Sequence, residues 1–447
     1  MMKVRVRESS LVKPRVETPK VCLWTSNIDQ LIPIHIKLVY FYRCPALTEC
    51  PSSCSGDFFN STVLKDGLSK ALVHYYPVAG RLKRNKSGRA EIDCTGEGVI
   101  FTEAETDSLI KDLGDFTPDE QLMPLIPSVG GNNDDISSYP PLLVQVTHFK
   151  CGGVCLAISY NHMVADGTSI ISFINSWSDI CRGVENMKPI PFFDRTILRA
   201  RNPPIVSFPH TEYKLPSINT ASTSLSSNPK IVTARLDISP MQANQLKSKC
   251  NKDGLQFSTY EVIAGHIWRC SCKANELDDD QETVISFPAD CRSHLSPPLP
   301  DGYFGNAVFS ISPKAISGDI VSKPLIYAVT IIHETLLASR NDEYFRSAID
   351  FLELNPISTL TKVPRTLKCC NVRNATWVRL GIYEADFGWG QPLYMGPGFI
   401  GFAGRTFLLA NPQGSDGGFS LIVSLGSDYQ MNLFKKFFYD SICLPKL

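Results

Sequence analysis

Val154-Cys155-Leu156-Ala157-Ile158-Ser159-Tyr160-Asn161-His162-Met163-Val164-Ala165-Asp166-Gly167-Thr168-Ser169-Ile170-Ile171 runs from an apolar stretch through a turn into helical spacing. Gly153 to Tyr160 reads as a strand. Thr168 to Ile180 reads as a helix whose inner face carries Ile171, Ile174 and Trp177. His162 stands where the strand gives way to a turn ending in Gly167, a place where a scaffold presents side chains to a cleft. Upstream, Leu142 to His148 reads as a neighbouring strand, joined through Lys150-Cys151-Gly152-Gly153.

The same reading extends outward. His35 to Tyr42 is a strand, and Val63 to Tyr75 is a helix broken by Tyr76-Pro77-Val78-Ala79-Gly80-Arg81. Residues 186–230 contain seven Pro and a Ser/Thr cluster from Ser217 to Ser227, the composition of a crossover between domains. This divides the chain into an N-terminal domain, 1–185, and a C-terminal domain, 231–447. In the second half Ser258-Thr259-Tyr260-Glu261 is a capping box opening a helix with Ile263, Ile267 and Trp268 on its apolar face. Asp342 to Leu354 is helical, and strands are expected to dominate from Trp377 to the end. Strands interspersed with helices in both halves predict an α/β protein, mixed α+β in detail, of two similar-sized domains.

Composition narrows the function classes. With 447 residues and 43% apolar content, the chain can build full cores. Lys+Arg and Asp+Glu are both 44, so no global field favours nucleic acid or an anionic membrane. The first residues are charged and lack the apolar core of a secretory signal, and no apolar run reaches the roughly 18–20 residues of a membrane span. The Cys count is 15, an odd number, and Cys155, Cys181 and Cys270 lie inside apolar segments, as free thiols do. A cytoplasmic protein is expected, with no metal site, since Cys50/Cys54 and Cys270/Cys272 have no Cys or His companions at zinc-finger spacing.

His162 is a candidate general base, because an imidazole titrates near neutral pH. Asp166 could orient that imidazole as a third catalytic group, or could be a structural carboxylate fixing the turn; spacing leaves both open. No Gly-x-Ser-x-Gly elbow is present and nothing marks an activated Ser or Cys, so the base is expected to act on a substrate hydroxyl or amine. Asp386-Phe387-Gly388 matches a kinase triplet but lacks the kinase catalytic loop. Gly396-Pro397-Gly398-Phe399-Ile400-Gly401 fits a dinucleotide fingerprint in letters only, with Pro in the turn and no helix to follow. Arg81, Lys83, Arg84 and Lys86 read as a solvated turn face without aromatic interleaving.

His162-x-x-x-Asp166-Gly167 followed by Asp386-Phe387-Gly388-Trp389-Gly390 resembles the BAHD family of plant acyl-CoA-dependent acyltransferases. Tyr76-Pro77-Val78-Ala79-Gly80-Arg81-Leu82 and Tyr303-Phe304-Gly305-Asn306 extend the likeness over essentially the whole chain. The hydroxycinnamoyl-CoA:shikimate/quinate subgroup is the nearest, through Leu23-Trp24-Thr25-Ser26-Asn27-Ile28-Asp29, Gln145 to Gly153 and Trp377-Val378-Arg379. The resemblance implies two domains of a chloramphenicol acetyltransferase-like fold, each a mixed sheet flanked by helices, with an active-site channel at their interface. About 375–395 would pack with the N-terminal domain. It further implies a monomer that uses acyl-CoA as co-substrate, with no tightly bound cofactor. His162 would deprotonate the acceptor, and Trp377 would help hold the oxyanion. Asp166 would pair structurally with Arg292, and Asp386, Gly388, Trp389 and Gly390 would support the scaffold. Ser258 and Tyr260 are candidates for the CoA side.

Departures from the subgroup bear on the acceptor. The expected pocket comprises His35, Leu38, Tyr40, Lys362, Arg365 and Ala375. Lys362 stands where shikimate-using relatives place an Arg, Ala375 where they place a Thr, and Leu38 where a small Ser is usual. Lys lacks the bidentate fork of Arg. An acceptor other than shikimate is therefore expected, a hydroxyl or amine compound taking an aromatic acyl group. The alternatives are a shikimate/quinate transferase proper and a catalytically weak acyl-CoA-binding homologue.

Overall fold

The computed structural model describes residues 2–44, 58–128, 136–184, 188–213, 231–250, 254–355, 371–412, 414–415 and 417–442. Lys362 and Arg365, two of the expected pocket residues, lie outside them. The chain forms two compact units. The first comprises Met1–Asn202, Pro297–Ala307 and Leu380–Phe399; the second comprises Pro203–Ser296, Val308–Arg379 and Ile400–Leu447. The division is thus more interleaved than a single crossover at 186–230, because two later segments return to the first unit. Tyr394–Pro397 shows why: it adds to the edge of His35–Tyr42 as an antiparallel strand, Tyr394 opposite Phe41.

The first unit is built on a six-stranded sheet in the order Arg5–Val12, Val99–Thr106, Leu142–Phe149, Val154–Asn161, His35–Tyr42, Tyr394–Pro397. Val154–Asn161 is buried at every position, so an unbroken apolar run becomes a central strand. A small sheet of Cys22–Trp24, Ala90–Asp93 and Arg81–Arg84 accompanies it. The helices Ser61–His74 and Gly167–Cys181 pack together, and the indole of Trp177 donates to the Leu64 carbonyl at 3.0 Å.

The second unit carries a seven-stranded sheet ordered Val308–Ile311, Glu282–Asp290, Asn371–Thr376, Arg405–Ala410, Phe419–Leu425, Val232–Ile238, with Lys314–Ile316 beside Glu282–Asp290. Its core is organised by the helix Thr259–Ala274, whose Ile263, Ile267 and Trp268 are fully buried. The expected capping box is present: Ser258 Oγ accepts from the Glu261 amide at 3.2 Å.

Among the described residues after Trp377, three strands are followed by one helix. Asp428–Asp440 is a helix, capped by Ser427, whose Oγ accepts from the Gln430 amide. Met431, Phe434 and Phe438 recur at helical spacing and are buried, the pattern of a helix with one face in the core. This helix is tied to the core by His266, whose Nε2 lies 3.0 Å from the Phe438 carbonyl oxygen.

Burial lowers the His266 pKa from 6.5 to about 4, partly opposed by that carbonyl. The unfolded chain therefore takes up the proton first as pH falls. The contribution of His266 to stability is complete above pH 6.5 and is lost as pH falls towards 4. His266→Gln keeps a donor for the carbonyl without a titrating ring. Urea unfolding at pH 7.5 and 4.5 should show the native protein losing about 2–3 kcal/mol more than the variant. Equal losses in both would remove His266 from the acid response.

Candidate active site

The turn carrying His162 is pinned at both ends by backbone bonds. The His162 amide donates to the Ile34 carbonyl at 2.9 Å, next to the pairing of His35 with Asn161. Asn161 closes the turn: its Oδ1 accepts from the Met163 amide at 3.0 Å and its carbonyl from the Val164 amide at 3.0 Å. The side chain of Tyr160 lies beside the imidazole, ring centroids 6.2 Å apart, and burial holds its phenol well above the ordinary range.

Asp166 is the N-cap of Gly167–Cys181. One carboxylate oxygen accepts from the Ser169 amide at 3.0 Å and the other from the Ala307 amide at 3.0 Å. These are the contacts of a capping carboxylate, which satisfies amides that a helix start leaves open. The Arg292 guanidinium has Asp290 at 3.0 Å.

Beneath the turn lies a polar cluster that sequence reasoning did not assemble. Arg195 and Asp29 form an ion pair at 3.2 Å with both side chains fully buried. Arg195 also donates to three carbonyl oxygens: Met163 at 3.2 Å, Val164 at 2.6 Å and Phe304 at 3.3 Å. Asn306 Nδ2 donates to the His162 carbonyl at 2.8 Å and lies 2.7 Å from Asp29 Oδ1, which also accepts from the Asn306 amide at 3.1 Å. The other Asp29 oxygen accepts from the Ser26 amide and hydroxyl at 2.7 and 2.8 Å. Three consecutive carbonyls, those of His162, Met163 and Val164, are thus gripped by two buried side chains. Asp29 and Asn306 sit in segments that carried the family resemblance, but no spacing rule joins positions 29, 195 and 306.

The other expected residues fall in separate places. Strand alternation puts Leu38 and Tyr40 on one face of His35–Tyr42 and His35 on the other. Tyr40 is fully buried, while His35 packs its ring 5.3 Å from that of Tyr139. Burial lowers the His35 pKa below its ordinary value. Asp386 folds its own loop, accepting from the Gly388 and Gly390 amides at 2.8 and 2.9 Å. Both glycines have positive φ, 103° and 98°, which lets those amides turn back towards the carboxylate. Trp389 packs on Phe59 at 5.1 Å, so this loop is scaffold within the first unit. In the second unit the Ser258 hydroxyl is committed to Glu261 at 2.7 Å, and the ring of Tyr260 meets Phe287 at 5.8 Å. Trp377 follows the strand Asn371–Thr376, donates its amide to the Leu408 carbonyl at 2.8 Å and sets its indole against Phe407 at 5.2 Å. Ala375 lies on that strand, half-exposed.

Comparison with known proteins fits this arrangement. The Transferase family model matches residues 2–441. Shikimate O-hydroxycinnamoyltransferase of Nicotiana tabacum is 47% identical, over 98% of this chain and 100% of its own length. A hydroxycinnamoyl-CoA:5-hydroxyanthranilate N-hydroxycinnamoyltransferase of Avena sativa is 42% identical, and the rosmarinate synthase of Plectranthus scutellarioides 43%, each over 98% of this chain and 100% of its own. Among solved structures, vinorine synthase shares the fold with a TM-score of 0.74 at 24% identity, covering 96% of both chains. TRI101 of F. graminearum, solved with ethyl coenzyme A, does so with a TM-score of 0.76 at 17% identity, over 93% of this chain and 97% of its own. With a family match from end to end and two sheet-rich units of the kind these enzymes share, the chain belongs to the Transferase (BAHD) family and is an acyl-CoA-dependent acyltransferase.

Proposed function

We propose that this enzyme moves a hydroxycinnamoyl group from its CoA thioester to a hydroxyl or amine acceptor, with His162 as general base. The observation that carries this reading is the rigid seating of His162, whose carbonyl is held by Asn306 and whose amide is held by Ile34. Holding the backbone of the base in place reduces the freedom that must be lost when substrate arrives. The imidazole takes the proton from the acceptor O–H or N–H as the oxygen or nitrogen attacks the thioester carbonyl. A C–O or C–N bond forms and a tetrahedral oxyanion results, for which the Trp377 indole N–H is the proposed donor. A single well-aimed donor contributes roughly 2.7–4 kcal/mol to lowering such a barrier. The C–S bond then breaks, and the thiolate leaves with the proton returned by the imidazolium. Relatives named for shikimate and for 5-hydroxyanthranilate span O- and N-acceptors, which supports both acceptor types.

Incubation with p-coumaroyl-CoA and a mixed panel of hydroxyl and amine acceptors should release free thiol and yield an ester or amide by mass. His162→Ala should lower that rate by about 10²-fold or more. Retained activity in the variant would remove His162 from the role of base. The cluster beneath the turn makes a separate prediction. Asp29→Ala strands a buried guanidinium and should cost about 3–5 kcal/mol in unfolding free energy. Asn306→Ala removes the bond to the His162 carbonyl and should lower kcat by about tenfold while the KM for acyl-CoA stays within about twofold. A rise in KM with unchanged kcat would mean that Asn306 serves binding and not the seating of His162.

A further inference from the structure

Arg373 and Arg405 stand opposite one another on the adjacent parallel strands Asn371–Thr376 and Arg405–Ala410 of the second unit. Neighbouring strands lie about 4.8 Å apart, so the two side chains leave the sheet side by side. Both strands alternate between core and open face. Val372 and Leu408 enter the hydrophobic core, whereas Arg373, Ala375, Arg405 and Phe407 share the opposite, half-exposed face. The first pair of registered residues on that face is therefore two cations, and the next is Ala375 with Phe407.

Two neighbouring guanidiniums repel, and an enclosed one is expected to have a carboxylate partner. Among the described residues neither has one. Arg373 Nη2 donates to Ser310 Oγ at 3.0 Å, and Arg405 lies over the Phe402 ring at 5.3 Å. The Arg405 guanidinium makes no hydrogen bond among the described residues, although its Nε is buried. Enclosure pushes both groups down, Arg405 to about 9, with the charge of Arg373 as the second cause. The same protein shows the contrasting solution at Arg195, where a buried guanidinium receives a carboxylate and three carbonyls.

We infer that Arg373 and Arg405 form an anion site that takes the carboxylate of the acyl acceptor, with Ala375 and Phe407 as the apolar floor for its carbon skeleton. The inference rests on the acyl-transfer reading above and specifies its acceptor as a hydroxy or amino acid. An anion between the two forks relieves their repulsion and can accept parallel N–H bonds from each, which is the geometry guanidinium recognises in carboxylates and phosphates. A phosphate of CoA has the same chemistry. The apolar pair in the next register suits a compact acid with a carbon ring or chain, and so favours the acceptor.

The test uses the full-length enzyme, p-coumaroyl-CoA, and hydroxy and amino acids each paired with its methyl ester. The native enzyme should prefer acid over ester in kcat/KM, and Arg373→Gln and Arg405→Leu should each lower that ratio by about tenfold or more. Thermal melting confirms that both variants are folded. An unchanged ratio overturns the inference. A rise in the KM for p-coumaroyl-CoA that disappears with the 3′-dephospho thioester would assign the pair to the cofactor phosphate and overturn it equally. If the native enzyme releases no thiol with any acceptor, the acyl-transfer reading fails on its own. Calorimetric titration of the same acids into native and variant protein then decides the anion site independently: binding lost in the variants supports it, and binding absent from the native protein overturns it.

Discussion

The ion pair between Asp29 and Arg195 is the constraint on which the geometry of the His162 turn depends. Both charges are wholly removed from water, so each requires the other. The backbone around His162 supplies further partners: Arg195 points donors at the Met163 and Val164 carbonyls, and Asn306 spans Asp29 and the His162 carbonyl. Such a pair adds little net stability compared with an apolar replacement, but breaking one side of it is severe. What it provides here is a single geometry for a turn that would otherwise be free to relax. The capping carboxylate of Asp166 fixes the turn's far end, and the Ile34 carbonyl fixes its near end.

These partners come from positions 29, 195 and 306, and their distance along the chain explains what the sequence could convey. Periodic features were legible: His35–Tyr42, Asp342–Leu354 and the capping box at Ser258 lie where their residues predict them. Each depends on neighbours within a few residues, which a one-dimensional reading contains. The helix Asp428–Asp440 was not singled out within a stretch expected to be mostly strand, although Met431, Phe434 and Phe438 recur at helical spacing. The buried cluster was not legible at all. Arg195 is an ordinary basic residue in a proline-rich stretch until the fold places an Asp against it. His162 and Asp166 were visible because strand, turn and helix start are local, whereas the network beneath them is long-range.

The interleaving of the two units has the same origin. Segments 297–307 and 380–399 return to the first unit because each completes something there: Asn306 and Ala307 complete the turn's hydrogen bonds, and Tyr394–Pro397 completes a sheet edge. A boundary inferred from composition finds the proline-rich crossover but has no access to such returns, which are set by unsatisfied backbone groups elsewhere.

Arginine is used in two opposite ways in this molecule. At Arg195 the guanidinium is fully buried and meets a carboxylate and three carbonyl oxygens. At Arg373 and Arg405 two guanidiniums share a half-open face, with a hydroxyl and an aromatic ring in place of carboxylates. Arg195 has a carboxylate partner, whereas Arg373 and Arg405 stand adjacent with none among the described residues. Their juxtaposition costs stability in the free protein, and that cost is relieved when an anion arrives. A site of this kind binds because it is incomplete, in the way that a preorganised oxyanion donor is incomplete before its charge develops.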